Sequence, residues 1–188
     1  MVTGIFGGSF DPLHFGHLFL SLQIAEAHQL DRVLVCPAFC SPFKSAAPPI
    51  ANPHHRLAMV KLAVADIPGF ETISIEIDRG GPSYTIDTIR ALPTDQYRLI
   101  LSEEAAMGFH NWKGAEELLH AAPPLIGCRR GFKLEGPLRQ ELEKGLTLTR
   151  SMDISSTHIR ERLSEKLYCG HLVPAQVLEY IYSCGLYL

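Results

Sequence analysis

Cysteines suited to pairing are scarce in this chain: Cys36, Cys40, Cys128, Cys169 and Cys184 are odd in number, widely spaced and contain no C-x-x-C. A disulfide framework is not expected, and reduced thiols in the cytoplasm are the anticipated state. Long hydrophobic runs are missing too. No stretch of about 18 uncharged apolar residues occurs, so no membrane span is expected. The N-terminus enters an apolar run without a charged n-region or cleavage site, so no secretory signal is expected. Positive charge is not in excess: 17 Lys+Arg against 20 Asp+Glu give a formal net charge of −3. With a pI of about 6.3, no global basic field argues for nucleic acid, and phosphate ligands must be met by local basic residues. The two best-known phosphate loops, G-x-G-x-x-G and G-K-[ST], are absent from the first turn. There is no repeat, low-complexity tract or interdomain linker.

What remains is 188 residues with 46% hydrophobic content, enough for one sizeable core and one domain spanning 1–188. Short apolar runs alternate with helical patterns. Strands are expected at 2–6, 32–37, 72–78, 97–101, 125–128 and 146–148. The third rests on the alternation of Ile73, Ile75 and Ile77. Helices are expected at 17–30, 54–65 and 83–92, with a region at 103–120 broken near Gly108 and Gly114. Two more close the chain: one capped by Ser155 or Ser156, the other opened by Pro174. A proline-rich loop covers 39–53 and is long enough for an active-site loop. Strands separated by helices predict an α/β fold, a Rossmann-like doubly wound parallel sheet with a helical C-terminal segment. Ligands then sit beyond the carboxyl ends of the strands.

The stretch that organises the chain is Gly7-Gly8-Ser9-Phe10-Asp11-Pro12-Leu13-His14-Phe15-Gly16-His17, between the first strand and the first helix. Glycines allow close backbone approach, and a helix start offers N–H groups to phosphate. Two imidazoles, His14 and His17, suit stabilisation of charge on transferring phosphoryl oxygens. A zinc pair would need further ligands that are not evident, so no metal site is expected. A second motif, Ile154-Ser155-Ser156-Thr157-His158-Ile159-Arg160, places hydroxyls and N–H groups at a helix start, with an arginine one turn on.

The first stretch resembles the H-x-G-H signature of the nucleotidyltransferase superfamily. Within it, nearly the whole chain resembles the bacterial nicotinate-nucleotide adenylyltransferases. The resemblance implies that His14 and His17 are the catalytic pair. It places Gly7, Gly8, Ser9, Phe10, Ile154, Ser155, Ser156, Thr157 and Arg160 at ATP, with Phe10 and Asp11 also shaping the turn. Gly81-Pro82-Ser83-Tyr84-Thr85-Ile86-Asp87-Thr88 closely matches the segment that separates this family from its relatives. It implies that Thr85 faces the pyridine carboxylate and that Trp112 stacks on the pyridine ring. Arg56 is implied as a mononucleotide phosphate contact and Lys44 as an ATP phosphate ligand. Arg130, in Cys128-Arg129-Arg130-Gly131, would lie near ATP.

Two stretches depart from the family pattern. Ser41-Pro42-Phe43-Lys44 stands where two prolines, histidine and lysine are usual, so Phe43 replaces an imidazole. Leu101-Ser102-Glu103-Glu104 replaces a glycine-rich G-x-D; Glu104 falls at the aspartate that holds the adenosine ribose.

The implied reaction joins ATP and nicotinate mononucleotide into nicotinate adenine dinucleotide, with release of pyrophosphate, in NAD biosynthesis. Mg²⁺ is implied as companion of the triphosphate. Two alternatives stand beside it. One is another H-x-G-H enzyme, like a phosphopantetheine adenylyltransferase or a cytidylyltransferase; the other is an ATP-binding regulatory protein without turnover. The oligomeric state and the choice between nicotinate and nicotinamide have no signature in the sequence.

Overall fold

The computed structural model describes residues 1–44 and 49–188. Among these, six strands form one sheet in the order β3-β2-β1-β4-β5-β6, and every neighbouring pair is parallel. The strands are β1 (Val2–Gly8), β2 (Arg32–Pro37), β3 (Phe70–Thr72), β4 (Gln96–Ser102), β5 (Pro124–Cys128) and β6 (Leu146–Leu148). From β1 the chain builds outward to β2 and β3, then returns to place β4 on the other side of β1. The order therefore reverses at β1, and the crevice at the carboxyl ends of β1 and β4 is where such sheets bind ligands.

Successive side chains of a strand point to opposite faces, and two separate cores follow from that. Phe6, Val33, Val35, Ile100 and Leu125 point to one face. They meet α1 (Phe15–Ala27), α2 (Pro53–Val64), α8 (Ser156–Ser164) and α9 (Ala175–Ser183). Ile5, Leu34, Leu99, Leu101 and Ile126 point to the other. They are covered by α4 (Thr85–Ala91), α5 (Glu103–Met107), α6 (Ala115–Ala121), α7 (Arg139–Glu143) and the 3-10 turn Phe109–Asn111. Sheets buried on both faces read as continuous apolar runs, as Val33-Leu34-Val35-Cys36 does. Among the described residues, no helix is long and apolar enough to cross a membrane.

The helix starts are set locally. Asn52 caps α2, its side chain accepting from the His55 N–H at 3.0 Å, and Pro53 follows at the first position. Ser155 caps α8 by accepting from His158 N–H at 3.1 Å. Gly114, at φ 67, opens α6; a Cβ there would sit 3.2 Å from Ile86. Conformation and space both require glycine at that position.

One expected element is corrected. The strand read over 72–78 is a three-residue edge strand, β3, followed by the five-residue helix α3 (Ile75–Arg79). Ile73 N–H makes a last bond to Val35 C=O, and then Asp78 N–H returns to Ser74 C=O. The isoleucine alternation is real, but β3 pairs only with β2. Glu76, buried, accepts from the buried Thr88 Oγ1 at 2.7 Å. A strand continuing through 78 would not make that contact, because it holds α3 against α4.

Candidate active site

The loop between β1 and α1 is built from the inside. Phe10 takes a left-handed φ of 48°, costly for a bulky residue. Its buried ring lies against Phe6 at 5.4 Å and edge-on to His17 at 5.2 Å. Gly8 makes this possible, since a Cβ there would stand 2.8 Å from the Phe10 ring. The Phe10 side chain thus turns inward and supports His17, so it has no surface to offer ATP. Gly7, by contrast, is exposed, and nothing lies closer to its absent Cβ than Cys36 O at 4.0 Å.

His14 and His17 stack with ring centroids 3.7 Å apart and planes 28° from parallel. His17 Nδ1 accepts from the His14 backbone N–H at 3.3 Å, so the neutral His17 ring carries its proton on Nε2. His14 is buried, and its Nδ1 meets no partner among the described residues. Burial pulls its pKa from 6.5 down to about 4, because a charged imidazole would lose its hydration. The pair is therefore one ring that stays neutral beside one that donates from Nε2. Gly16 belongs to the same construction: a Cβ there would lie 3.0 Å from His14 Nδ1.

The second motif is fastened onto this loop from 144 residues away, by Ser156 Oγ donating to Pro12 C=O at 2.9 Å. Arg160 Nη1 donates to Asp11 C=O at 2.8 Å, Nη2 reaches Thr157 Oγ1 at 3.2 Å, and the guanidinium lies 3.6 Å from the Asp11 carboxylate. Asp11 itself is buried and accepts from Ile50 N–H, Ala51 N–H and the Tyr187 hydroxyl at 2.8, 3.1 and 2.6 Å. Burial and the Asp11 carboxylate both push the Tyr187 phenol up, so it remains a donor. Sequence reasoning gave Asp11 a part in the turn and missed Tyr187, which no motif marks.

Arg56 is a correction. It is 1% exposed. Its Nε donates to Ala51 C=O at 3.2 Å, Nη1 to Ser9 and Ala38 C=O at 2.7 and 2.6 Å, and Nη2 to Phe39 C=O at 2.8 Å. A guanidinium has five N–H donors, and four are spent on carbonyls. Arg56 ties the β1–α1 loop to both ends of the β2–α2 connection and is not aimed at a mononucleotide phosphate. Burial pulls its pKa down, and nearby Asp11 opposes that pull.

The remaining expected residues fall in two places. Thr85 opens α4, half-buried, and Trp112 follows the 3-10 turn, half-buried. Trp112 leans on Phe109 at 5.2 Å and faces Phe43 at 6.4 Å. Glu104 is exposed near the carboxyl end of β4. The neighbouring Glu103, which sequence reasoning left aside, accepts from Arg129 N–H at 2.6 Å and pairs with the Arg129 guanidinium at 3.0 Å. Arg129 and Arg130 share an open groove of about 480 Å³ with Arg150. The side chain of Lys44 lies outside the described residues, as does part of the loop expected at 39–53. Among the described residues, no cluster of three or more His, Cys, Asp or Glu could cage a metal.

A nucleotidyltransferase is defined by this sheet, with an H-x-G-H turn at the carboxyl end of its first strand and a hydroxyl-rich helix start docked onto it. Direct comparison gives the family. The cytidylyltransferase-like family model matches residues 5–162, and the chain belongs to that family. Among curated relatives, a probable nicotinate-nucleotide adenylyltransferase of Roseiflexus sp. (strain RS-1) is 39% identical, over 98% of this chain and 96% of the relative. One of the same name from Thermus thermophilus is 39% identical over the full length of both. A solved structure of Plasmodium falciparum nicotinic acid mononucleotide adenylyltransferase complexed with NaAD shares the fold, with a TM-score of 0.75 at 18% identity over 99% of this chain and 97% of that one.

The buried network and the imidazole stack each make a measurable prediction. Arg56→Lys is expected to destabilise the fold by about 3 kcal/mol, because one ammonium cannot satisfy four carbonyls and each buried orphan costs roughly 1–3 kcal/mol. The urea midpoint reads this; unchanged stability with a weakened mononucleotide would restore the phosphate role. For His14, above pH 6.5 the ring is neutral in both folded and unfolded chains. Between 6.5 and about 4 only the unfolded chain takes up the proton, so stability falls as pH falls, by up to roughly 3 kcal/mol. His14→Asn should flatten that limb in urea titrations run from pH 7 to 4, and parallel limbs would show that His14 is not the group responsible.

Proposed function

We propose that this chain transfers the adenylyl group of ATP to nicotinate mononucleotide, forming nicotinate adenine dinucleotide and pyrophosphate, as one domain over 1–188 and as a cytoplasmic enzyme of NAD biosynthesis. The observation that carries this reading is the docking of Ser156 and Arg160 onto the Asp11–Pro12 turn, beside the His14–His17 stack and at the crevice between β1 and β4. The names of the full-length relatives at 39% identity supply the substrates.

In this reading a 5′-phosphate oxygen of the mononucleotide attacks the α-phosphorus of ATP. A new P–O bond forms, the bond to the bridging oxygen of the β-phosphate breaks, and pyrophosphate leaves with that electron pair. No covalent enzyme intermediate is needed. The protein's task is to align the two reactants and to meet the charge that grows on the phosphoryl oxygens. His17 donates from Nε2 to those oxygens, and neutral His14 holds it in place by stacking. Gly7 leaves room for the phosphates and the Ser9 hydroxyl adds a contact to them, while Gly8 gives its space to the Phe10 ring that supports His17. Thr157 and Arg160, with Lys44 and Arg130, take the β- and γ-phosphates. Ser155 and Ser156 shape the same surface, though their hydroxyls are engaged in the α8 cap and with Pro12. Glu104 accepts from the ribose hydroxyls of ATP, Thr85 faces the pyridine carboxylate and Trp112 its ring. Magnesium enters as part of the MgATP substrate, neutralising phosphate charge with few protein ligands.

Pyrophosphate release, measured in parallel with nicotinate mononucleotide, nicotinamide mononucleotide and phosphopantetheine, tests the reading. Turnover is expected with the pyridine mononucleotide and not with phosphopantetheine; binding of ATP without any release would instead favour a regulatory protein. His17→Ala is expected to lower kcat by roughly 10²–10³ with smaller changes in either KM. A variant with nearly normal kcat would remove His17 from the chemistry.

A further inference from the structure

Phe43 is 58% exposed on the 3-10 turn Pro42–Lys44, at the place where the resembled family carries histidine. Its ring faces Trp112, with centroids 6.4 Å apart and planes 29° from parallel. Carbon atoms in van der Waals contact lie about 3.5–4.0 Å apart, so a flat ring held between two others needs about 7–8 Å. At 6.4 Å the two rings form an ordinary offset aromatic pair, whose centroids lie about 4.5–7 Å apart, and they stand about an ångström closer than a sandwich requires. Phe43 can yield the difference, because an exposed side chain has little packing to lose.

Both walls stand on one frame. Trp112 rests on Phe109, which is fully buried. The adjacent Lys113 is held by Asp87 at 2.8 Å and lies 4.6 Å over the Tyr84 ring. On the other side, Phe39 N–H donates to Ser83 Oγ at 2.9 Å and Ser83 N–H to Cys40 C=O at 2.8 Å. The turn bearing Phe43 is thereby stapled to the segment that carries Tyr84 and Thr85. That segment in turn holds the residue next to Trp112.

We propose that Phe43 and Trp112 form a two-walled aromatic slot for a flat, positively charged heteroaromatic ring, with Phe43 as a specificity-determining wall supplied by this chain in place of the usual imidazole. The proposal rests on the pyridine-mononucleotide reading above and adds the second wall. A pyridinium between two π-faces is attracted to both by their quadrupoles. A leucine of similar bulk offers no such face.

Trp112 is the only tryptophan in the chain, so its fluorescence reports directly on the slot. Nicotinate mononucleotide is titrated into the wild type, Phe43→Leu and Phe43→Tyr, and KM is measured for both substrates. The expected result is quenching in the wild type and about ten-fold weaker mononucleotide binding and KM in Phe43→Leu, a typical size for loss of one stacking face. Phe43→Tyr should bind as the wild type does, and the KM for ATP should hold in both variants. Unchanged quenching affinity in Phe43→Leu, or an equal rise in the KM for ATP, would overturn the slot while leaving the adenylyl-transfer reading intact. Failure of any pyridine mononucleotide to quench Trp112 or to release pyrophosphate in the wild type would overturn that reading and the slot together.

Discussion

The buried carboxylate of Asp11 is the point on which the site depends. A carboxylate removed from water is tolerated only when its oxygens are met by donors or positive charge. Asp11 meets two backbone N–H groups of the segment before α2, the hydroxyl of Tyr187 and the guanidinium of Arg160. These partners come from regions of the chain with no local reason to meet. One charge thereby fixes the positions of the first turn, the start of α2, the start of α8 and the residues after α9. The buried Arg56 does the complementary work from the same neighbourhood, gathering the carbonyls of Ser9, Ala38, Ala51 and Phe39. Asp11 ties together N–H groups and hydroxyls; Arg56 ties together carbonyls.

This division explains how an acidic protein can present a surface suited to polyphosphate. Arg56 is withdrawn into structure, and Arg160 is partly engaged with Asp11 and Thr157. Arg129 is matched by Glu103. Polarity at the site therefore comes to a large extent from oriented donors: the Nε2 of His17 and the Thr157 hydroxyl at the start of α8. Neutral donors fixed by packing need no reorganisation as charge develops, which is the condition under which they contribute most to rate. The low pKa of His14 fits the same scheme, because burial keeps that ring neutral and no charge has to be solvated inside the turn.

Much of the frame was legible in the sequence, because burial on both sheet faces leaves short apolar runs and the last two helix starts leave Ser155 and Pro174. The meeting of the two motifs was also legible, since each carries phosphate-binding chemistry that is sparse when alone. The strand expected through Ile77 failed because alternating isoleucines describe a short helix beside an edge strand equally well. Arg56 and Phe10 were misread for one shared reason. A sequence pattern names a residue near a ligand without saying whether its side chain turns outward or into the wall. Tyr187 was invisible, since one phenol reaching a carboxylate 176 residues away has no local signature. The facing of Phe43 and Trp112 was hidden likewise, because the departure from histidine reads as a loss until the opposite ring is in view.

The bond from Tyr187 to Asp11 also bears on synthesis. The turn that carries the two histidines leaves the ribosome before one of the donors to its central carboxylate, which follows 176 residues later. At translation rates of about 5–20 residues per second that interval lasts roughly 10–35 s. Throughout it the nascent chain holds a carboxylate whose native partners are incomplete, and which water must solvate. The nucleotide cleft is thus finished only after that interval, although the carboxylate at its centre is made before it.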